Sequence, residues 1–215
     1  MALVGFVGSR SLSGSFSGLV GRVVSRVFSS GRSVAVGCAS GADQLVLSAA
    51  LSSLPRPASA PWVHVFAAFG PGGLGSAGGA SAVSTVLSAA SLVGAPGSGL
   101  ASPVVVHFWA GSSPGVPLAS RLRARSATLV STVAAALPPS GLVAFVSGGL
   151  SVSPGSWRSV RLAIRSGLPV VVFPCGCSVS CFPRLGSGSW VAAGAGPLWG
   201  SAWRWVPSPA ARAAR

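Results

Sequence analysis

The sequence predicts a doubly wound α/β chain on a mostly parallel sheet of about six strands, with helices on both faces. Three observations carry that reading. Short apolar runs of strand length alternate with helix-length segments, the pattern of βαβ units. The runs are continuously apolar rather than alternating, as expected when helices cover both faces of a parallel sheet. The segments after the runs are rich in Gly and Ser, as in chains whose βα loops gather at the carboxyl edge of the sheet and bind ligands there.

Each element has its own signal. Residues 3–7 form a first strand ending in Gly8-Ser9-Arg10. Leu19, Val20, Val23, Val24, Val27 and Phe28 recur at helical spacing within residues 17–28, and Gly31 stops that helix. Residues 33–36 are a second strand, followed by the loop 37–43 and a helix over 44–54 closed by Pro55 and Pro57. Residues 62–69 are a third strand, 70–79 a glycine-rich loop and 80–93 a helix of small residues. A fourth strand spans 104–109. The longest helix spans 118–137 and ends at Pro138-Pro139. A fifth strand (142–146), a loop (147–155), a helix (157–165) and a sixth strand (169–173) complete the pattern. The domain reading is residues 1–185 as one α/β unit. Residues 186–215 form a short Trp-rich C-terminal extension, a candidate β-hairpin with a frayed end. It holds Trp190, Trp199, Trp203 and Trp205, four of the seven tryptophans.

Composition excludes several chemistries. The 215 residues carry 15 cations and one acid, a net charge of +14. All the cations are Arg, and Lys, Tyr, Asn and Glu are absent. A single carboxylate, Asp43, cannot supply the carboxylate pair of glycosidases or aspartic proteases. Without Lys there is neither a Schiff base nor a P-loop lysine. Without acidic clusters there is no oxygen-ligand cation cage. The absent residue types are mostly those with A-containing codons, so a GC-rich gene accounts for part of the charge imbalance.

Apolar residues make up 50% of the chain, but 30 Gly and 17 Pro divide them. No run reaches the 18 or so residues that a spanning helix needs. The longest candidate, residues 126–146, is split by Pro138-Pro139. Residues 1–8 lack the basic start and apolar length of a signal peptide. The expectation is a soluble, cytoplasmic chain without a membrane partner.

Several motifs fail on inspection. Gly70-Pro71-Gly72-Gly73-Leu74-Gly75 fits G-x-G-x-x-G, but no acid follows Asp43 to hold a ribose, as dinucleotide binding requires. A loop able to approach phosphate, or a permissive connector, remains. Gly111-Ser112-Ser113-Pro114-Gly115 fits G-x-S-x-G, but Pro114 lacks the N–H that would build an oxyanion hole. Cys175, Cys177 and Cys181 lack paired zinc spacing, so reduced thiols are expected, with Cys38 elsewhere. His64 and His107 fall within apolar strands and read as core or edge residues. No metal, cofactor or catalytic residue is assigned.

Arg supplies planar, bidentate donors suited to phosphate. Arg121, Arg123 and Arg125 open the longest helix, and at spacings of two and four residues at most two of them share a face. Arg158, Arg161 and Arg165 do share a face, either solvated or following a nucleic-acid backbone. The loop from Gly37 to Asp43 holds the only carboxylate. There Asp43 either caps a helix start or contacts a ribose or base hydroxyl beside a phosphate held by backbone N–H groups.

Read in order, these pieces resemble the SLOG superfamily, which includes the Smf/DprA DNA-processing proteins, the LOG-type nucleotide hydrolases and the YspA-like domains. Gly8-Ser9-Arg10 and Val34-Ala35-Val36-Gly37-Cys38-Ala39-Ser40-Gly41-Ala42-Asp43 carry the first part. Arg121-Leu122-Arg123-Ala124-Arg125-Ser126 is similar to the R-N-R region of DprA. Val143 to Val146 with its Gly/Ser loop is similar to the next strand. Arg165-Ser166-Gly167-Leu168-Pro169-Val170-Val171-Val172-Phe173-Pro174-Cys175-Gly176 is similar to the strand that closes the domain. The match runs collinearly through residues 3–178 and is closest in motif order to DprA/Smf and YspA-like members.

The resemblance implies a Rossmann-like fold with a phosphate-binding face. The site residues it brings together are Gly8, Ser9, Arg10, Gly37, Ser40, Gly41, Asp43, Gly72, Gly73, Arg121, Arg123, Arg125, Ser147, Gly148, Gly155 and Ser156. Where LOG-type hydrolases carry P-G-G-x-G-T-x-x-E, this chain reads Pro154-Gly155-Ser156-Trp157-Arg158-Ser159-Val160-Arg161, without the Glu that takes part in cleavage. Binding rather than hydrolysis is therefore the expectation. The preferred partner is single-stranded nucleic acid in a DNA-processing role. The alternative is a free nucleotide or nucleotide-derived ligand, sensed or, as a lesser expectation, hydrolysed. A homodimer is left open.

Overall fold

The computed structural model describes residues 1–54, 62–76, 80–91 and 102–208. Among the described residues eight strands form one sheet in the order β4-β3-β2-β1-β5-β6-β8-β7. The strands are β1 (Ala2–Gly8), β2 (Ser33–Val36), β3 (Val63–Phe66), β4 (Val104–His107), β5 (Leu137–Val146), β6 (Val170–Pro174), β7 (Gly188–Ala192) and β8 (Trp203–Pro207). The helices are α1 (Ser17–Ser29), α2 (Ala42–Ser52), α3 (Ala80–Ser91), α4 (Leu118–Ala135) and α5 (Pro154–Arg165). β1 to β6 pair in parallel, as the continuous apolar runs predict. The chain moves outward from β1 through β2, β3 and β4. It then crosses over α4 to add β5 on the other side of β1. The topological switch point therefore lies between β1 and β5, where open α/β sheets bind ligands.

Two apolar layers sandwich the sheet. α1, α2 and α3 cover one face through residues such as Val20, Val24, Val46, Leu47 and Val86, packed on Phe6, Val36 and Val65. α4 and α5 cover the other through Leu129, Val133, Trp157 and Val160, packed on Leu3, Leu142 and Val172. Gly5 lets α4 approach closely: a Cβ there would sit 3.0 Å from Val133 Cγ2 and 3.1 Å from Leu129 Cδ2.

The sheet exceeds six strands because the Trp-rich extension folds into it. β8 pairs antiparallel with β6, and β7 with β8. α1 to α3 occupy the β1–β4 half of their face, and the segment after β7 covers part of the rest. Trp199 and Leu198 pack into that layer, with Trp199 5.8 Å from Phe173 between ring centroids. On the opposite face Trp157, Phe182, Trp190 and Trp205 form an edge-to-face cluster with centroids 5.0–5.9 Å apart. Residues 209–215, expected to fray, lie outside the described residues.

Several boundaries differ from expectation, among them α2, which runs Ala42–Ser52 rather than 44–54, and β4, which ends at His107 rather than 109. β5 begins at Leu137, not 142, and Pro138-Pro139 lies in its irregular first half. The register to β1 shifts there, between Ala2↔Leu137 and Val4↔Gly141, because proline cannot donate to a ladder. β3 stops at Phe66, and residues 68–69 form a bend while Ala67 and Phe69 stay hydrogen-bonded to residues 107–110. α5 begins at Pro154, whose fixed φ and missing N–H suit a first helical position. Helix residues 92–93, the loop residues 77–79, and Pro55 and Pro57 lie outside the described residues. No helix among the described residues is long and apolar enough to cross a membrane.

Candidate functional site

A cleft of about 520 Å³ opens at the carboxyl ends of β1 and β5, between the first halves of α4 and α5. Gly8, Ser9, Arg10, Asp43, Arg123, Arg125, Gly155 and Ser156, all singled out from the sequence, line it. Ser11, Ser126, Ser153, Arg158 and Ser159 join them, with an apolar wall that includes Leu118, Leu122, Val152 and Leu162. Four guanidinium groups thus face one carboxylate.

Serine hydroxyls fix the cleft floor. Ser9 Oγ lies 2.6 Å from Ser153 Oγ and accepts the Ser147 N–H at 2.9 Å. Both serines are buried. Ser153 is the N-cap residue of α5, yet its side chain makes no capping bond, because its hydroxyl is directed to Ser9. No acid lies in the first turn of α5. First-turn N–H groups have no intrahelical acceptors. Here they meet the positive end of the helix dipole at the cleft, beside Gly155 and Ser156. Gly8 keeps this corner tight, since a Cβ there would overlap Ala42.

Asp43 and Arg125 form a buried pair at the back. Arg125 Nη1 donates to Asp43 Oδ2 at 3.0 Å, with both side chains 5% exposed. The same oxygen accepts the Ala39 N–H at 3.1 Å. Asp43 therefore ties α2 back to the preceding loop instead of capping its helix. Burial opposes charge on Arg125, but Asp43, the nearby Cys38 and the hydrogen bond outweigh it, and its pKa is raised. The Nε of Arg125 is buried without a hydrogen-bond partner. Gly37 stands against this pair: a Cβ there would overlap the guanidinium. Gly41, at φ +74°, bends the chain into α2, and a Cβ there would overlap the Ser9 and Arg10 carbonyls.

Other sequence candidates lie outside the cleft lining. Arg121 donates to the carbonyls of Val116 at 2.8 Å, Ala68 at 2.7 Å and Gly75 at 2.7 Å, and lies 5.2 Å from the Trp109 ring. Those bonds tie α4 to the loops after β3 and β4. Gly72 and Gly73 belong to that β3 loop, both at positive φ. Gly37, Ser40 and Gly41 do not line the cleft, although Gly37 packs against Arg125 and Asp43 and Gly41 against the Ser9 and Arg10 carbonyls. The Gly148 carbonyl accepts from Trp157 Nε1 at 2.8 Å, and Ser147 Oγ lies 3.4 Å from Ser11 Oγ.

Ser11, Ser126, Ser153, Arg158 and Ser159 line the cleft without being among the site residues expected from the sequence. The sequence groups Arg158 with Arg161 and Arg165 as a helix face, yet it alone of the three lines the cleft. Ser153 has a usable signal, since Ser before Pro marks an N-cap ahead of a first helical position.

Away from the cleft, the His64 and His107 rings stack at 5.7 Å, with His64 Nδ1 3.4 Å from His107 Nε2. Burial and then His107 lower the His64 pKa to about 4, and burial lowers that of His107. All four cysteines are free. Burial, helped by Cys177, pushes the Cys175 thiol up to about 12. Among the described residues no three His, Cys, Asp or Glu side chains are grouped to hold a metal.

The fold and cleft together define a class: a doubly wound α/β chain with a basic cleft at its switch point. No protein-family model and no curated protein matches the sequence significantly. Solved structures do match. DNA processing protein A (DprA) from Streptococcus pneumoniae aligns with 83% of this chain and 52% of its own, at TM-score 0.54 and 17% identity. DNA processing protein A from Helicobacter pylori, described by its single-stranded DNA binding mode, aligns with 80% of this chain and 65% of its own, at TM-score 0.53 and 16% identity. This chain thus spans half to just under two thirds of those proteins, and the likeness is one of fold.

Proposed function

We propose that this chain is a DprA/Smf-like DNA-processing protein of the SLOG superfamily, whose switch-point cleft binds the backbone of single-stranded DNA. One observation carries the reading: Arg10, Arg123, Arg125, Arg158 and the uncapped start of α5 converge on a single cleft between β1 and β5. Guanidinium groups and helix N-termini both favour phosphate. The fold likeness to two DprA structures supports the same reading. In it, residues 1–185 are the binding unit and the Trp-rich extension braces the sheet. A cytoplasmic location follows from such a role. The lone carboxylate, tied to Arg125, supports binding over acid/base catalysis.

The second reading is a free nucleotide or nucleotide-derived ligand. The size of the cleft favours it, since about 520 Å³ lies within the range of roughly 300–1,000 Å³ typical of small-molecule pockets. One titration separates the two. A labelled single-stranded oligonucleotide is titrated at two salt concentrations, with a panel of mononucleotides as competitors. The DNA reading expects oligonucleotide binding that weakens steeply with salt and resists mononucleotides. Saturable mononucleotide binding with little salt dependence supports the second reading. No binding of either removes both.

A further inference from the structure

We propose that Asp43 is a positioning residue that makes Arg125 an anion receptor and does not itself touch the ligand. The inference rests on the reading of the cleft as a phosphate site. Asp43 is the only carboxylate of the chain, and it is 4% exposed. Its Oδ2 accepts from both Ala39 N–H and Arg125 Nη1. That anchors one corner of the guanidinium. The backbone of Gly37 leaves the space that the guanidinium fills, so the anchored group is also confined sterically.

The other edge behaves differently. Arg125 Nε is buried and has no hydrogen-bond partner, while Arg125 lines the cleft. Nε itself is closed off from the cleft, so a phosphate oxygen meets Arg125 at the small part of its side chain that lines the cleft, in charge-assisted form. The remaining cleft arginines, Arg10, Arg123 and Arg158, are exposed on long stems, Arg123 with only an exposed bond to Ser120 Oγ, so Arg125 is the cleft arginine fixed by a buried ion pair. Asp43 sets its orientation.

This assignment makes a prediction that simple electrostatics reverses. Asp43 carries a negative charge beside an anion site, so removing that charge should tighten phosphate binding if charge alone mattered. A sugar contact would instead make Asp43→Asn lose nucleotides while sparing inorganic phosphate. Positioning predicts a third pattern. Asp43→Asn weakens inorganic pyrophosphate, a mononucleotide and a single-stranded oligonucleotide by a similar factor, about tenfold or more, the worth of one charge-assisted hydrogen bond.

The test is a double-mutant cycle. Wild type, Asp43→Asn, Arg125→Gln and the double variant are titrated with those three probes, and each is checked by thermal melting. The expected result is a loss in Asp43→Asn that disappears in the Arg125→Gln background. Tighter binding by Asp43→Asn overturns the proposal, as does a loss confined to the sugar-bearing probes or a loss that persists without Arg125. If Asp43→Asn alone does not fold, Arg125→Gln is compared with the neutral pair, and weaker binding by the pair overturns it. If wild type binds none of the probes, the phosphate-site reading fails first, which is a distinct result.

Discussion

Arg121→Met separates a structural arginine from a ligand-binding one. The Arg121 side chain is buried and donates to three backbone carbonyls, those of Val116, Ala68 and Gly75. Methionine keeps much of the packing volume and removes every donor. The bond to Ala68 is fully buried, and leaving that carbonyl without its partner costs about 1–3 kcal/mol. The bonds to Val116 and Gly75 are partly buried, so water replaces them and they add about 0.5 kcal/mol each. Loss of the guanidinium beside Trp109 adds about 0.5–1 kcal/mol. The sum is about 2.5–5 kcal/mol, or a fall in Tm of roughly 5–20 °C for a chain of this size. Urea and thermal denaturation, followed by tryptophan fluorescence, measure it. Phosphate affinity, measured where the variant is folded, should change less than about twofold. A variant with unchanged stability and abolished phosphate binding would refute the reasoning and move Arg121 into the ligand site.

Other expectations are quicker to state. Gly37→Ala should weaken pyrophosphate binding and lower stability by about 1–3 kcal/mol, because the new methyl overlaps the Arg125 guanidinium; unchanged affinity in a calorimetric titration counts against the pair as part of the site. Gly41→Ala forces a side chain into φ +74° and against the Ser9 and Arg10 carbonyls, so a urea midpoint equal to wild type would show that this bend is not needed. Trp157→Phe removes the indole bond to the Gly148 carbonyl and should cost about 1–2 kcal/mol in chemical denaturation. His64 is held neutral in the fold, with its pKa lowered from 6.5 to about 4 by burial and then by His107. The unfolded chain therefore binds the extra proton first as pH falls, and stability is lost progressively from about 6.5 down to about 4. His64→Gln should flatten that part of the stability profile, and an unaltered slope would mean other groups control it.

The legible parts of the fold share a physical cause. β1, β2, β3, β4 and β6 read as strands because a parallel strand covered on both faces must be apolar throughout. α1 reads as a helix because Val20, Val23, Val24, Val27 and Phe28 must all face the sheet, and all are buried. The start of β5 is not legible, because Pro138-Pro139 is a strong helix stop but does not specify the conformation beyond it. The hairpin of β7 and β8 can be suspected from four clustered tryptophans, but its docking against β6 is a long-range pairing that no local pattern specifies.

The cleft is partly legible for the same reason. Gly8-Ser9-Arg10 and Asp43 sit directly after strands or at a helix start, so topology alone brings them to the carboxyl edge. Side-chain direction is not legible. Arg121 and Arg125 are one helical turn apart on one face, yet one ties loops together and the other meets Asp43. Arg158 shares a face with Arg161 and Arg165, and only its place nearer the start of α5 brings it to the cleft.

The central claim is that the cleft, and not the general positive charge of the chain, holds phosphate. The direct measurement is the salt dependence of single-stranded oligonucleotide binding for wild type, Arg123→Gln, Arg158→Gln and the pair Arg22→Gln/Arg26→Gln. Arg22 and Arg26 lie on α1, which packs on the opposite face of the sheet from α4 and α5. Each cleft substitution should lower the affinity and reduce the log–log salt slope by about 0.7. The α1 pair should leave both nearly unchanged. The opposite pattern, with the α1 pair reducing the slope and the cleft variants matching wild type, would contradict the account.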